Sequence, residues 1–219
     1  MFSDVDIETN NRLLETKDIL IVLRGNMIIG DIPNDSREDK VLKGLFFVSL
    51  YGVLEYTVTS IVHRCIQIIN GKQKKILELK PSLYSLLLDS ECEAVASVRD
   101  KKWDKRYTLF KQIEENTLLI IRDDLFPASI GNIKYKQLES IWRVFGIDMP
   151  ISLTDSFQWK LSSLVDRRNA IAHGRELPSN IGGAYTISSL EELYNDISAF
   201  CSYIQNVFED YINNEGYLK

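Results

Sequence analysis

The sequence is short of the residues from which many reactive sites are built. Its 219 residues include two histidines, His63 and His173, and three cysteines, Cys65, Cys92 and Cys201. Three scattered cysteines make neither a disulfide scaffold nor a zinc site. They suit a reducing cytosol, where thiols stay free, so a cytoplasmic location is expected. Two histidines leave little material for a metal centre, and no metal or cofactor is expected. Prolines number five, so long helices can run without interruption. Lys and Arg total 26 against 31 Asp and Glu, for a net charge of -5 and a pI near 5.2. That balance argues against indiscriminate nucleic-acid binding, which needs a broad basic surface. It allows a small basic site on an acidic body. Neither a glycine-rich phosphate loop nor an activated serine or cysteine motif is present. The acidic start, Met1 to Glu8, lacks the basic and apolar regions of a signal peptide and predicts no targeting segment.

What remains is 45% hydrophobic and patterned for helices. The length fits one domain covering 1–219. A first helix is predicted from about Asp4 to Arg24, where Ile7, Leu14 and Ile21, and Leu13 and Leu20, recur at helical spacing. Gly25 to Asn34 reads as a loop, with Gly30 and Pro33 as breakers. Ser36-Arg37-Glu38-Asp39 resembles a capping box with Asp in place of Glu. It opens a helix running to about Ile69, roughly 50 Å at about 1.5 Å per residue. Leu42 to Val62 is long and apolar enough to cross a bilayer. Glu55 and several hydroxyl side chains favour a buried bundle helix instead, so no membrane contact is expected.

In the middle, Pro81 to Leu88, Ser90 to Arg99, Thr108 to Asn116 and Lys134 to Phe145 read as helices. Thr117 to Ile121 is ambiguous between helix and strand, and Pro127 and Gly131 break the chain. Thr154 or Asp155 can cap a helix to His173, with Gly174 as its left-handed stop. Pro178, Gly182 and Gly183 mark a loop, and Ser188 or Ser189 caps a last helix to about Asn213. The expected fold is an all-α bundle.

The segment that can carry chemistry is Val165-Asp166-Arg167-Arg168-Asn169-Ala170-Ile171-Ala172-His173-Gly174. On a helical wheel Asp166, Asn169, Ala170 and His173 share a face. Arg168 lies five residues before His173 and points well away from it on an ideal helix. Its long side chain can still reach an anion near His173 or at a symmetry mate. Histidine can give or take a proton at neutral pH. Arginine grips phosphate as a fixed fork and stabilises a phosphorane. Such a set suits RNA cleavage by attack of the ribose 2′-hydroxyl, where the substrate brings its own nucleophile. The same residues also fit a solvated charge cluster at a helix end, with His173 placed well for the helix dipole.

Arg168-Asn169-Ala170-Ile171-Ala172-His173 resembles the RNxxxH form of the Rx4–6H signature of HEPN domains. The layout is similar too: a long early helix with an acidic residue, Glu55, then the signature helix, a short loop and a last helix. The resemblance is best over 37–70 and 153–213. Residues 71–150 read as an insertion or subgroup elaboration, with extra helices in the middle of the chain. It implies a helical bundle that pairs as a homodimer, and a metal-independent endoribonuclease with a composite cleft. His173 would be the acid–base group, Arg168 the phosphate and transition-state ligand, and Asn169 the residue that positions them. Asp166, Arg167 and Glu55 would support them. It also implies a toxin or phage-defence effector cutting tRNA or mRNA, restrained by an antitoxin or other regulatory partner protein. The alternative within the same family is a catalytically silent module that binds a protein or a nucleotide. A helical adaptor with a coincidental signature is a third reading.

Weaker signals lie elsewhere. Glu55, Thr59 and His63 share a face of the long helix. Glu55 can bond a signature arginine or serve a structural ion pair. His63 alone reads as a core or rim residue. Arg99 to Arg106 is the most basic stretch and encloses Trp103. It can hold RNA by phosphate contacts and stacking, or be a solvated face. Arg175 is a candidate RNA contact at the cleft itself, and Tyr185 can stack on a base or simply pack.

Overall fold

A computed structural model describes residues 1–26, 35–122 and 132–219. Among them the chain is all-α, with nine α-helices, two short 3-10 turns and no strand. The helices are α1 (Ser3–Gly25), α2 (Arg37–Gly71), α3 (Tyr84–Leu87), α4 (Asp89–Ser97), α5 (Lys102–Glu114), α6 (Tyr135–Phe145), α7 (Phe157–Ala172), α8 (Pro178–Gly182) and α9 (Ile187–Asn213). Gly30, Pro33, Pro127 and Gly131, expected as breakers, lie outside the described residues. The chain forms two compact units. One comprises Met1–Ile61, Asn132–Tyr135 and Ser152–Asn206, and the other comprises Val62–Gly131, Lys136–Ile151 and Val207–Lys219.

The first unit is organised on α2. The expected capping box is there: Asp39 N–H donates to Ser36 Oγ (3.0 Å), and Ser36 N–H donates to Asp39 Oδ2 (3.1 Å). Asn26 Nδ2 donates to the other carboxylate oxygen at 2.7 Å. That bond, followed by those from Ser36, holds the Asp39 carboxyl below the usual range despite its burial. Along α2, Phe46, Phe47, Leu50, Leu54 and Val58 are fully buried. Each such side chain contributes roughly 1.5–3 kcal/mol. By length and apolarity α2 is long enough to cross a bilayer, and over half of its most apolar window is buried inside the fold. Its polar positions are answered by α1: Thr9 and Thr57 share a hydrogen bond, as do Thr16 and Ser49. α1 buries Val5, Leu13, Leu20 and Leu23. Ile7, Leu14 and Ile21 recur at helical spacing too, yet they face outward. Periodicity shows which residues share a face, not which face is covered.

Three local expectations are corrected. α7 starts at Phe157 after Ser156, with no side-chain cap, so neither Thr154 nor Asp155 caps it. α9 starts at Ile187, and its cap is Thr186: Ser189 N–H donates to Thr186 Oγ1 at 3.2 Å. The Pro178–Gly182 segment forms a turn of helix rather than an open loop, with Pro178 in the first-turn position that suits its fixed φ.

This short helix lies directly on α2. A Cβ on Gly182 would sit 1.9 Å from Lys40 O, and one on Gly44 would sit 2.1 Å from Pro178 O. Both neighbours are backbone, which cannot swing aside. Gly182→Ala is therefore expected to destabilise the protein by about 1–3 kcal/mol. The check is the urea midpoint. A midpoint equal to wild type would show that α8 can lift from α2 at little cost.

The second unit has an aromatic core. Trp142 and Phe145 of α6 meet Phe208 edge-on at 6.0 and 5.2 Å, and Phe145 meets Tyr211 at 5.8 Å. α6 buries Leu138, Ile141, Trp142 and Phe145, one helical stripe, and stops at Gly146 with φ +63. α5 begins at Lys102, earlier than the expected Thr108, so Trp103 lies on a helix. Thr117 to Ile121 is neither helix nor strand. The Asn70 side chain donates to Ile121 O (2.9 Å) and accepts from Ile121 N–H (3.0 Å), doing locally what a neighbouring strand would do.

Candidate active site

The signature residues sit where α7 ends. Gly174 takes φ +65, a conformation glycine adopts without steric cost. Its N–H donates to Ile171 O (3.0 Å), and Arg175 N–H donates to Ala170 O (2.8 Å). These two bonds are the Schellman closure. His173, the C-cap residue, is exposed, and its ring has no hydrogen-bond partner among the described residues.

Arg168 is the opposite case. Its Nη1 donates to Asn132 Oδ1 (2.8 Å) and to Asn169 Oδ1 (2.9 Å). Its Nη2 lies 3.7 Å from Glu55 Oε2, and its guanidinium carbon lies 4.5 Å from the centre of the Tyr51 ring. The head group is thus turned toward α2 and the Asn132 segment. The pull is simple: one planar cation finds two amide oxygens, a carboxylate and an aromatic face. Glu55 is 40% exposed, so this ion pair by itself contributes at most about 1 kcal/mol. Its value is positional.

Tyr51 completes the arrangement. It is 1% exposed; its hydroxyl donates to Glu55 Oε1 (3.0 Å) and accepts from Ile133 N–H (2.9 Å). Burial pushes this hydroxyl up to about 12; Glu55 adds to the rise, while the Ile133 amide and Arg168 oppose it. Tyr51 therefore remains a donor across the physiological range. Tyr51, Glu55, Arg168, Asn132 and Asn169 form one connected polar network within the first unit.

The predicted common face of Asp166, Asn169 and His173 is split by depth. Asn169 is buried at 8% exposure, with its amide oxygen on Arg168, while Asp166 and His173 stand in solvent. Arg167 is exposed, and its Nε donates to the Tyr185 hydroxyl at 3.1 Å. The Tyr185 ring packs edge-on against Phe47, with centroids 4.8 Å apart, so it is already in contact with the core. Arg175 is exposed just past the turn.

Two residues of the network were not legible as such in the sequence. Tyr51 is one turn before Glu55 on α2, so helical spacing could have paired them. Asn132 carries no local signal, because its partner is 36 residues away.

The other sequence candidates lie in the second unit. Gln67 Nε2 donates to His63 Nε2 at 3.2 Å, so His63 is engaged on its own helix. Trp103 is 76% exposed, with the Arg106 guanidinium 5.0 Å over its ring. Tyr107 and Phe110 continue the same exposed face of α5, and α4 and α5 have no buried residue. Among the described residues no three of His, Cys, Asp or Glu come together as a metal-binding group.

A family model described as RiboL-PSP-HEPN matches residues 10–210. No curated protein and no solved structure matches the chain.

Proposed function

This chain belongs to the RiboL-PSP-HEPN family, and we propose that it is an endoribonuclease acting as a homodimer. The observation that carries this reading is the division of labour at the end of α7. Arg168 is held by four side chains, while His173, on the cap of the same helix, is exposed and uncommitted. A phosphate ligand benefits from being fixed in place. An acid–base group must be free to reach its proton.

The chemistry follows from these groups. His173 takes the proton from a ribose 2′-hydroxyl. The oxygen attacks the adjacent phosphorus, and the bond to the 5′-oxygen breaks. A proton returns to that oxygen, leaving a 2′,3′-cyclic phosphate. Arg168 stabilises the charge on the phosphorane. Five residues along a helix separate Arg168 from His173 by about 140° around its axis. A composite cleft between two α7 ends, in which Arg168 of one copy serves a phosphate near His173 of the other, would not require the two to meet on one helix. Two copies of His173 could then share the base and acid steps. Asn169 and Glu55 hold Arg168, while Asp166 and Arg167 lie at the rim. Arg175 and Trp103 are the proposed RNA contacts. A role as a toxin or phage-defence effector with tRNA or mRNA as target, and restraint by an antitoxin or regulatory protein, extends this reading.

The test is incubation of total RNA with the protein in the presence of EDTA, followed by mapping of the new ends. Cuts leaving 2′,3′-cyclic phosphates are expected. A folded protein that produces no cuts would instead favour a second reading, a silent module that binds a partner protein. The uncovered aromatic face of α5 is what favours that reading, since exposed apolar patches mark interaction sites.

A further inference from the structure

We infer that the cleft walled by Arg167, Glu176, Asn180 and Tyr185 is a guanine-binding subsite for the nucleotide beside the cleaved phosphate. It rests on the ribonuclease reading and specifies the base preference of that site.

The cleft is open, about 450 Å³ in volume, and Ile181 and Ala184 complete its lining. Small-molecule sites typically occupy about 300–1,000 Å³. All six residues belong to the first unit, as does α7. Glu176 N–H donates to Ala170 O at 3.1 Å, tying Glu176 to the signature helix three residues past His173. Asn180 lies on α8, which is held against α2 by glycine contacts. Arg167 is tethered through Nε to Tyr185, and its terminal amino groups have no partner among the described residues. The Glu176 carboxylate and the Asn180 amide likewise have no hydrogen-bond or ion-pair partner there.

The donor and acceptor pattern selects the base. A carboxylate offers two acceptors side by side. Guanine presents two adjacent donors on its Watson–Crick edge, N1–H and N2–H, with the acceptor O6 next to them. Asn180 or Arg167 can donate to O6. Adenine and cytosine set an acceptor beside their one amino group, which would face a carboxylate oxygen. Uracil has one donor between two acceptors. Unpaired bases in single strands are read on these edges.

The experiment uses the full chain and a single-stranded RNA with randomised sequence, with cleaved ends sequenced. Guanine is expected at one position flanking the cut. Glu176→Gln replaces two acceptors by one acceptor and one donor, the pattern that suits adenine. The preference for guanine over adenine should fall by about 10-fold or more. Asn180→Ala should weaken the guanine preference without favouring adenine. Identical base profiles in wild type and both variants would overturn the subsite. A second measurement separates the two readings: calorimetric titration of wild type and Glu176→Gln with guanosine 3′-monophosphate and adenosine 3′-monophosphate. If no RNA is cut but guanosine 3′-monophosphate binds more tightly and Glu176→Gln removes the difference, the ribonuclease reading fails while guanine recognition by the cleft stands. If RNA is cut without base bias and both nucleotides bind equally, the subsite fails and the ribonuclease reading stands.

Discussion

His173→Ala is expected to lower the rate of RNA cleavage by about 10²–10⁴-fold, the usual contribution of a positioned acid–base group. The structure makes this a clean substitution. His173 is exposed, and its ring has no hydrogen-bond partner among the described residues. Its backbone follows the closure set by Gly174, which alanine at 173 leaves in place. Stability should therefore change by less than about 1 kcal/mol. Initial rates on an end-labelled RNA, with thermal midpoints and sedimentation on the same samples, make the comparison. A variant that folds normally and cuts at the wild-type rate would end the assignment of His173. Mixed dimers carry the test further. If two copies of His173 divide the base and acid steps, a dimer of one wild-type and one substituted chain should lose far more than half of its activity.

Local signals in the sequence were strong where one residue type does one thing. The Ser36–Asp39 box, the stop at Gly146 and the Gly174 turn each depend on contacts within a few residues. The stripe Leu190, Leu193, Ile197, Phe200, Ile204, Phe208 and Ile212 is buried along α9 for the same reason: period 3.6 is a property of the segment itself. The failures are of another kind. Thr186 rather than Ser188 or Ser189 caps α9; it has Ser189, not a carboxylate, three residues on, so the capping-box pattern pointed past it to the two serines. Thr117 to Ile121 is held by Ile76 and Lys75 at its start and by Asn70 at Ile121, all distant in sequence, and no window around it contains that information. In the candidate site the split is similar. The signature residues could be read directly, and Glu55 could be placed as a supporting carboxylate. Asn132 and Tyr51, which set the position of Arg168, depend on how distant segments come together.

On the proposed ribonuclease reading Arg168 has two separable roles, as a lock between distant segments and as a phosphate ligand, and two substitutions distinguish them. Arg168→Lys keeps the positive charge but loses the planar fork that can hold two amide oxygens and grip a phosphate. Cleavage is expected to fall by about 10²-fold or more, with the protein still folded. Arg168→Ala is expected to lose at least as much activity and, in addition, roughly 1–3 kcal/mol of stability. Most of that cost comes from Asn169, which is buried and would lose the partner of its amide oxygen; Glu55 is exposed enough to be rehydrated. Rates per folded molecule, together with urea unfolding of both variants, read the two effects apart. Were Arg168 a lock and nothing more, Arg168→Lys would be less stable yet cut RNA at the wild-type rate once folded. Both Nη1 hydrogens are already spent on Asn132 and Asn169. A phosphate bound by Arg168 would therefore meet the Nε and Nη2 side of the guanidinium, where Glu55 stands 3.7 Å from Nη2. That distance is too long for a hydrogen bond and still within the reach of an ion pair. Glu55 can therefore hold the cation in place while leaving its outer donors for the substrate.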